Sequence, residues 1–483
     1  MTSAKTMEGA VSAQQLAASG APARGAGERP YRDALRCLRE AGVPYALMRD
    51  DPEDLSALAD LDLLLDDREL EIAFAALERA GFLRKKTPQH RRKWVFIRYE
   101  AERFYTIDAH GAFVQNGIEY MDAHLALQRL DHSGSEPRLG PEDRFVHLLL
   151  HNLLGKPRLQ EKHLPQLRAL MQQKLDRASI ESQTQAFGTT RILEVGLVDL
   201  NVLASDLKAW RRLRRQARRN LLAHGENRRS AWSFRWRTRR PWRQRPVILA
   251  LLGPDGSGKT SITNELEELL RGSPLSAGRV YMGCWGHDLL PMRFARRLIP
   301  PRISHWRIWQ SLRGKSVVLS EAEREFVEQK RPVGWRQGWR AMRTACKDAV
   351  FYGALLVELA VRFLRGIQRC RRPLVLSDRW IYDLEFRQGR VPFTYHQSVR
   401  RHIYKRFPVP DGILYLSAPY SVVASRKPQL NKEQYETMDL RFRQVLKPYK
   451  PLELVTDVTA REVAHTFLDR YWTVLLDRYN ESL

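Results

Sequence analysis

The stretch "VILALLGPDGSGKTSITNELEELL", residues 247 to 270, joins an apolar run to an amphipathic pattern through a glycine-rich turn. Apolar residues without polar alternation predict a strand buried on both faces. In "SITNELEELL" the apolar positions recur every three or four residues, which predicts a helix. Between them Gly253, Gly258, Lys259 and Thr260 satisfy G-x-x-x-x-G-K-[ST] in the strand, loop and helix context that gives this pattern meaning. The glycines let the backbone N–H groups from Gly256 to Thr260 turn toward one point at the positive end of a helix, where a β-phosphate can sit. Lys259 would then reach the β- and γ-phosphates, and the Thr260 hydroxyl would ligate magnesium. The residues expected to hold the nucleotide are Gly253, Asp255, Gly256, Ser257, Gly258, Lys259, Thr260 and Ser261.

Farther along, apolar β-rich runs recur at "RVYMG" (279 to 283), "PLVLSD" (373 to 378), "GILYLSA" (412 to 418) and "LELVTD" (452 to 457). With helical stretches between them, they predict a parallel sheet covered on both faces. "LVLSDRW" sets Asp378 just beyond a buried strand, where a carboxylate can work near magnesium, with Arg379 beside it. A surface ion pair at a strand end is the plainer alternative. "PDGILYLSAPYSVVASRKPQLNKEQYE" reads as strand, helix and a basic loop with Arg426, Lys427 and Lys432, cations able to close over a transferring phosphoryl group. The N-K-x-D signature of a GTP-specific switch is missing from the strand region where it belongs.

In order and spacing, "GPDGSGKTS", "SDRWIYD" and "PDGILYLSAPYSVVASRK" resemble the thymidylate kinase-like P-loop kinases over about residues 246 to 476. The resemblance implies a P-loop NTPase-type α/β fold, a five-stranded parallel sheet with helices on both faces. It also implies ATP and Mg2+ as cofactors, transfer of the γ-phosphoryl of ATP, Lys259 as phosphate clamp, and an Asp378 and Arg379 pair facing the acceptor. Thr260 and Asp378 are the implied metal ligands. Some members carry an arginine in the phosphate loop. Here Gly256 and Ser257 stand in that stretch, so the catalytic cation is expected from the lid, with Arg426 the candidate. The acceptor stays open: a long basic stretch, "PMRFARRLIPPRISHWRIWQSLRGK", precedes "LVLSDRW" in place of a recognisable thymine pocket. The chain is also similar to thymidylate kinase-like proteins of bacterial polysaccharide-type gene sets, so dTMP and a glycan or lipid-linked sugar are both acceptor readings.

Upstream, residues 29 to 140 alternate helices and short strands and read as a smaller α/β domain. In "ADLDLLLD", Asp60 and Asp62 lie two apart on a strand and leave the same face, and "FYTIDAHG" adds Asp108 at the end of another. Three converging carboxylates could hold two magnesium ions, and this resembles the nucleotidyltransferase-like superfamily. That superfamily places a Gly-Ser pair before its acidic strand, whereas this stretch reads "YALMRDDPED", so a degenerate binding or scaffold module is preferred to an active transferase, with an ordinary acidic edge as the third reading. Residues 141 to 223 read as helical, with His147 and His151 one turn apart as packing residues rather than zinc ligands.

The chain has 483 residues and a formal net charge of +26, so its surface should attract anions. Residues 210 to 245 hold 14 arginines, one glutamate and four tryptophans, half of the net charge. Residues 224 to 245 read as a linker, with an anionic membrane surface as the partner that Arg/Trp interleaving suits. No nucleic-acid reader motif appears. The first 28 residues read as a disordered lead-in without the apolar core of a secretory signal, and residues 246 to 483 form the kinase-like domain. Scattered Cys37, Cys284, Cys346 and Cys370 fit a reducing cytoplasm. "AVFYGALLVELAVRFL" (349 to 364) is interrupted by Glu358 and Arg362 and reads as a buried or interfacial helix, too short to span a bilayer. The expectation is therefore a phosphotransferase, cytoplasmic or peripheral at the inner face of the membrane. A non-catalytic nucleotide-binding assembly protein is the alternative from another class.

Overall fold

The computed structural model describes residues 29–48, 55, 58–87, 92–239, 245–283, 353–368, 370, 372–385, 406–426 and 431–483. The expected lead-in, Cys284, Cys346, Lys427, most of the "YALMRDDPED" stretch and the basic stretch before residue 315 lie outside these residues. The chain divides into two compact units. Among the described residues the first comprises 29–239 with 472–481, and the second 245–471.

The first unit is built on a seven-stranded mixed sheet. Its elements are α1 (Arg29–Glu40), β1 (Tyr45–Leu47), β2 (Leu61–Leu65), α2 (Leu70–Arg79), β3 (Leu83–Lys85), β4 (Lys93–Glu100) and β5 (Arg103–His110). A hairpin of β6 (Val114–Gln115) and β7 (Ile118–Glu119), then α3 (Ala123–Leu127), β8 (Leu130–Asp131) and β9 (Arg138–Leu139) follow. The sheet order is β3-β4-β5-β2-β1-β9-β8. Strand alternation assigns the two cores. Leu61, Leu63 and Leu65 pack with Tyr31 and Leu35 of α1 and Phe74 and Leu77 of α2, while Leu64, Ala46 and Met48 join the helices that follow. Those are α4 (Pro141–Gly155), α5 (Leu164–Gln172), α6 (Arg177–Thr184), α7 (Thr190–Ser205), α8 (Leu207–Ala223) and α9 (Gly225–Arg239). The helical stretch thus covers one face of the same sheet.

Helix α8 shows how the arginine-rich segment folds. Asp206 caps it by accepting from Lys208 N at 2.6 Å, and Trp210, Leu213, Ala217 and Leu221 form its buried stripe at three- and four-residue spacing. The expected linker at 224 to 245 is a helix through Arg239, because Asn227 docks it onto the hairpin. Its side chain accepts from Glu119 N at 2.8 Å and donates to Glu119 O at 2.8 Å and Leu221 O at 3.1 Å. Gly117, at φ 77°, permits the approach, since a Cβ there would lie 2.8 Å from both Phe234 Cβ and Ser230 O.

The second unit carries a five-stranded, all-parallel sheet: β10 (Val247–Leu252), β11 (Ala277–Tyr281), β12 (Leu374–Asp378), β13 (Gly412–Ser417) and β14 (Leu452–Val455), in the order β11-β12-β10-β13-β14. All six residues of β10 and all five of β12 are buried, which explains their unbroken apolar runs. Helix α10 (Lys259–Leu269) follows β10, and α11 (Tyr420–Arg426) and α12 (Lys432–Leu446) lie between β13 and β14. The apolar run is described from residue 353. Leu355 and Leu359 sit in the core, and the two charges that interrupt it pair in the interior, Arg362 Nε donating to Glu358 Oε1 at 2.6 Å. No helix among the described residues is long and apolar enough to cross a membrane.

The last helix, α13 (Ala460–Glu481), contributes residues 472–481 to the first unit. There Asn480 accepts from Lys86 N at 2.8 Å and donates to Arg84 O at 2.9 Å, satisfying the backbone along β3. Replacing Asn227 by Ala leaves the half-buried Glu119 N–H and C=O unpaired, a cost of about 1–3 kcal/mol. Amide hydrogen exchange at Glu119 should accelerate by about 5- to 150-fold in Asn227→Ala. Unchanged protection would show that the amide does not hold the hairpin.

Candidate phosphate-loop site

Strand β10 ends at Leu252 and the chain turns at Gly253, whose φ is 149°. A Cβ there would lie 2.2 Å from the backbone oxygen of Leu416 on β13, so no larger residue fits. Gly256 and Gly258 take positive φ of 94° and 81°, and Gly258 caps the start of α10. Lys259 opens that helix and is 5% exposed. Its ammonium donates to the loop's own carbonyls, Gly253 O at 2.7 Å and Pro254 O at 2.6 Å, and lies 3.5 Å from Ser257 Oγ. Burial, and next the nearby Arg379 charge, push the Lys259 pKa down to about 8.

Parallel pairing sets Leu251 opposite Asp378, so the end of β12 arrives beside the loop. Thr260 Oγ1 donates to Asp378 Oδ2 at 3.0 Å. Asp378 is 5% exposed, and its Oδ1 has no hydrogen-bond partner among the described residues. Arg379 follows in a left-handed conformation at φ 74°, a strain of about 1–3 kcal/mol for a residue with a Cβ. Two carboxylates hold it: Nη2 donates to Asp255 Oδ1 at 2.6 Å and Nη1 to Asp383 Oδ2 at 2.9 Å. Burial works against the Arg379 charge, but Asp383 and Asp255 outweigh it and keep its pKa above the ordinary arginine range. Asp383 is raised by its own burial, against the pull of Arg379.

Arg426, at the end of α11, places Nη1 3.4 Å from Gly256 O, so the expected lid cation lies on the loop backbone. Lys432 instead starts α12 and pairs with Glu436 of its own helix at 3.8 Å. Ser261 is exposed in the first turn of α10. Two site residues had no assigned role in the sequence. Asp383 stands four residues after Arg379, a spacing that could have flagged the pair. Arg279, the one charge in "RVYMG", places Nη2 3.5 Å from Asp378 Oδ2 and also donates to Asn264 of α10.

The carboxylates of the first unit form a different set from the three expected. Asp62 and Asp108 are register partners on parallel β2 and β5, and His110 Nε2 lies 3.6 Å from Asp62 Oδ1. Ligand atoms of Asp62, Asp108 and His110 fall within 4.8 Å of one another. Asp60 is not in the group, because it precedes β2. It acts instead near Tyr31 of α1, whose pKa burial first and the Asp60 charge in part raise to about 12. Lys93 of β4 already places its ammonium on Asp108 Oδ2. Two carboxylates, one neutralised by an ammonium, do not fit a pair of magnesium ions, which takes a richer set of anionic oxygens. His147 packs between Phe113 and Tyr120, with its Nδ1 3.0 Å from the Tyr120 hydroxyl.

No protein-family model and no curated protein matches this chain. Among solved structures it is similar to thymidylate kinase from Candida albicans, at 15% identity and a TM-score of 0.29, covering 49% of this chain and 93% of that one. It is similar also to thymidylate kinase from Ehrlichia chaffeensis, at 15% identity and a TM-score of 0.27, covering 47% of this chain and 98% of that one.

A Lys259 pKa of about 8 would make the binding of a phosphate by this loop pH-dependent. Below it the free loop carries the ammonium that a phosphate needs. Above it, binding must first take up a proton, so nucleotide affinity should be flat below pH 8 and fall by up to about tenfold per unit above it. Titrating ATP by calorimetry at pH 7 and 9 checks this, and Lys259→Met should remove the dependence. Equal affinity at both pH values would count against it.

Proposed function

We propose that the second unit is an ATP- and Mg2+-dependent phosphotransferase that moves the γ-phosphoryl of ATP to a small acceptor such as dTMP. The carrying observation is the pair Thr260 and Asp378, joined at 3.0 Å at the mouth of a glycine loop, with Asp378 Oδ1 buried and unpartnered among the described residues. Those oxygens fit a hard cation such as Mg2+, and Thr260 and Asp378 are the residues that would hold it. When bound, the ion neutralises phosphate charge.

The chain's own residues do the rest. Lys259, protonated, exchanges the carbonyls of its own loop for phosphate oxygens. Arg426 brings positive charge to the loop backbone, the role that a loop arginine would otherwise fill. Arg379, aimed by Asp255 and Asp383, offers a planar guanidinium to an anionic acceptor group. An acceptor oxygen bonds to the γ-phosphorus as its bond to ADP breaks. Incubating the full chain with γ-labelled ATP, Mg2+ and dTMP should give labelled dTDP, and Asp378→Asn should lower kcat by about 10²–10³-fold while ATP still binds. Label moving to a sugar phosphate or lipid-linked sugar but not to dTMP would keep the phosphotransferase and change the acceptor. ATP binding with no transfer to any acceptor leaves the non-catalytic assembly reading.

A specific observation supports peripheral binding at an anionic membrane. Trp232 and Trp236 on α9 stack at 5.5 Å between ring centroids while 66% and 45% exposed, with Arg228, Arg229 and Arg235 exposed around them. The full chain should co-sediment with vesicles of phosphatidylglycerol and phosphatidylcholine, and Trp232→Ala with Trp236→Ala should lower that binding about tenfold. Equal sedimentation of the double variant would overturn this placement.

A further inference from the structure

The arginine-rich helix α9 has a second face. Glu226, Arg229, Ser230, Ser233 and Arg237 recur at three- and four-residue steps, so they fall along one stripe. That stripe lines a cavity of about 680 Å³ in the first unit, within the roughly 300–1,000 Å³ of small-molecule sites. Arg92, Lys93 and Glu119 line it too, and Phe187 and Phe234 supply aromatic surface. The short serines leave the volume open and offer hydroxyl donors. Four basic side chains meet two carboxylates on these walls.

The commitments of those charges decide what the cavity can take. Lys93 is paired with Asp108, and Arg92 lies 3.4 Å from Glu119 and 3.8 Å from Asp67. Arg229 is exposed and has no carboxylate partner among the described residues. Arginine is the residue whose planar fork matches phosphate oxygens two at a time, and a cavity that carries an excess of it is suited to a phosphate group. With an ammonium on Asp108, the neighbouring acidic group is not an open two-metal centre, so the chemistry of this cavity is binding rather than nucleotidyl transfer.

We propose that the first unit carries a second anion site, built of residues other than the phosphate loop, which binds a phosphorylated small molecule in the α9 cavity. The phosphate is held by Arg229 and Arg237 with the serine hydroxyls, and the rest of the ligand lies against Phe187 and Phe234. The site is independent of phosphoryl transfer in the second unit.

Isothermal titration of the full chain with inorganic pyrophosphate tests it. Wild type should bind at two sites. Lys259→Ala should keep the cavity site, and Arg229→Gln with Arg237→Gln should keep the loop site while weakening the other at least tenfold. Both substitutions lie on an exposed helix surface, and an unchanged thermal melt confirms that the variant is folded. Arg235→Gln, an exposed arginine of α9 outside the cavity, should leave both sites intact. A single site abolished by Lys259→Ala overturns the proposal. So does a double variant that binds as wild type, or an Arg235→Gln loss equal to that of the double variant, which would mean diffuse charge. A single site abolished only by the cavity variant upholds it and removes the nucleotide reading of the loop instead.

Discussion

The second unit depends on the parallel pairing of β10 with β12. That register sets Leu251 against Asp378, and the backbone of Arg379 then donates to Leu251 O at 3.1 Å. One strand delivers the glycine loop and the other delivers the carboxylate, so two segments more than a hundred residues apart meet at the carboxyl ends of a sheet, where open α/β folds place their ligands. A one-residue slip would turn Asp378 to the opposite face and separate it from Thr260. The two strands are wholly buried, so the register is fixed by the core itself.

The charges around the loop are held in two different ways. Lys259 lies against the carbonyls of Gly253 and Pro254, and Arg379 is held by Asp255 and Asp383. The carbonyls beside Lys259 are neutral partners that an anion could replace, whereas the two carboxylates beside Arg379 are charged and hold it in place. This accounts for the opposite shifts of the two groups. Lys259 faces neutral carbonyls in a buried position and is lowered, while Arg379 faces two carboxylates and is raised. Asp378 differs in keeping one oxygen unpartnered among the described residues.

Much of this was legible in the sequence because it rests on local pattern. The five strands of the parallel sheet fall within two residues of the apolar runs that announce them, and the phosphate loop reads directly from its glycines and the flanking elements. What stayed hidden was cross-chain. Lys93 reaches Asp108 because β4 and β5 pair antiparallel, a register that no spacing in the sequence reveals. Arg279 reaches Asp378 from an edge strand, and nothing local marks it as more than a charge in an apolar run. The sequence predicts a linker where α9 stands, because its arginines and tryptophans form no apolar stripe. Its docking depends on one asparagine and one glycine, Asn227 and Gly117, which meet only in three dimensions.

The split of α13 bears on how the first unit is closed. Asn480 satisfies backbone groups of Lys86 and Arg84, which lie 394 and 396 residues before it. The first unit therefore closes its β3 edge only when a segment distant in sequence arrives, a contact with a large loop-closure cost. Until that segment docks, the first unit carries an open strand edge, the kind of surface that recruits other strands.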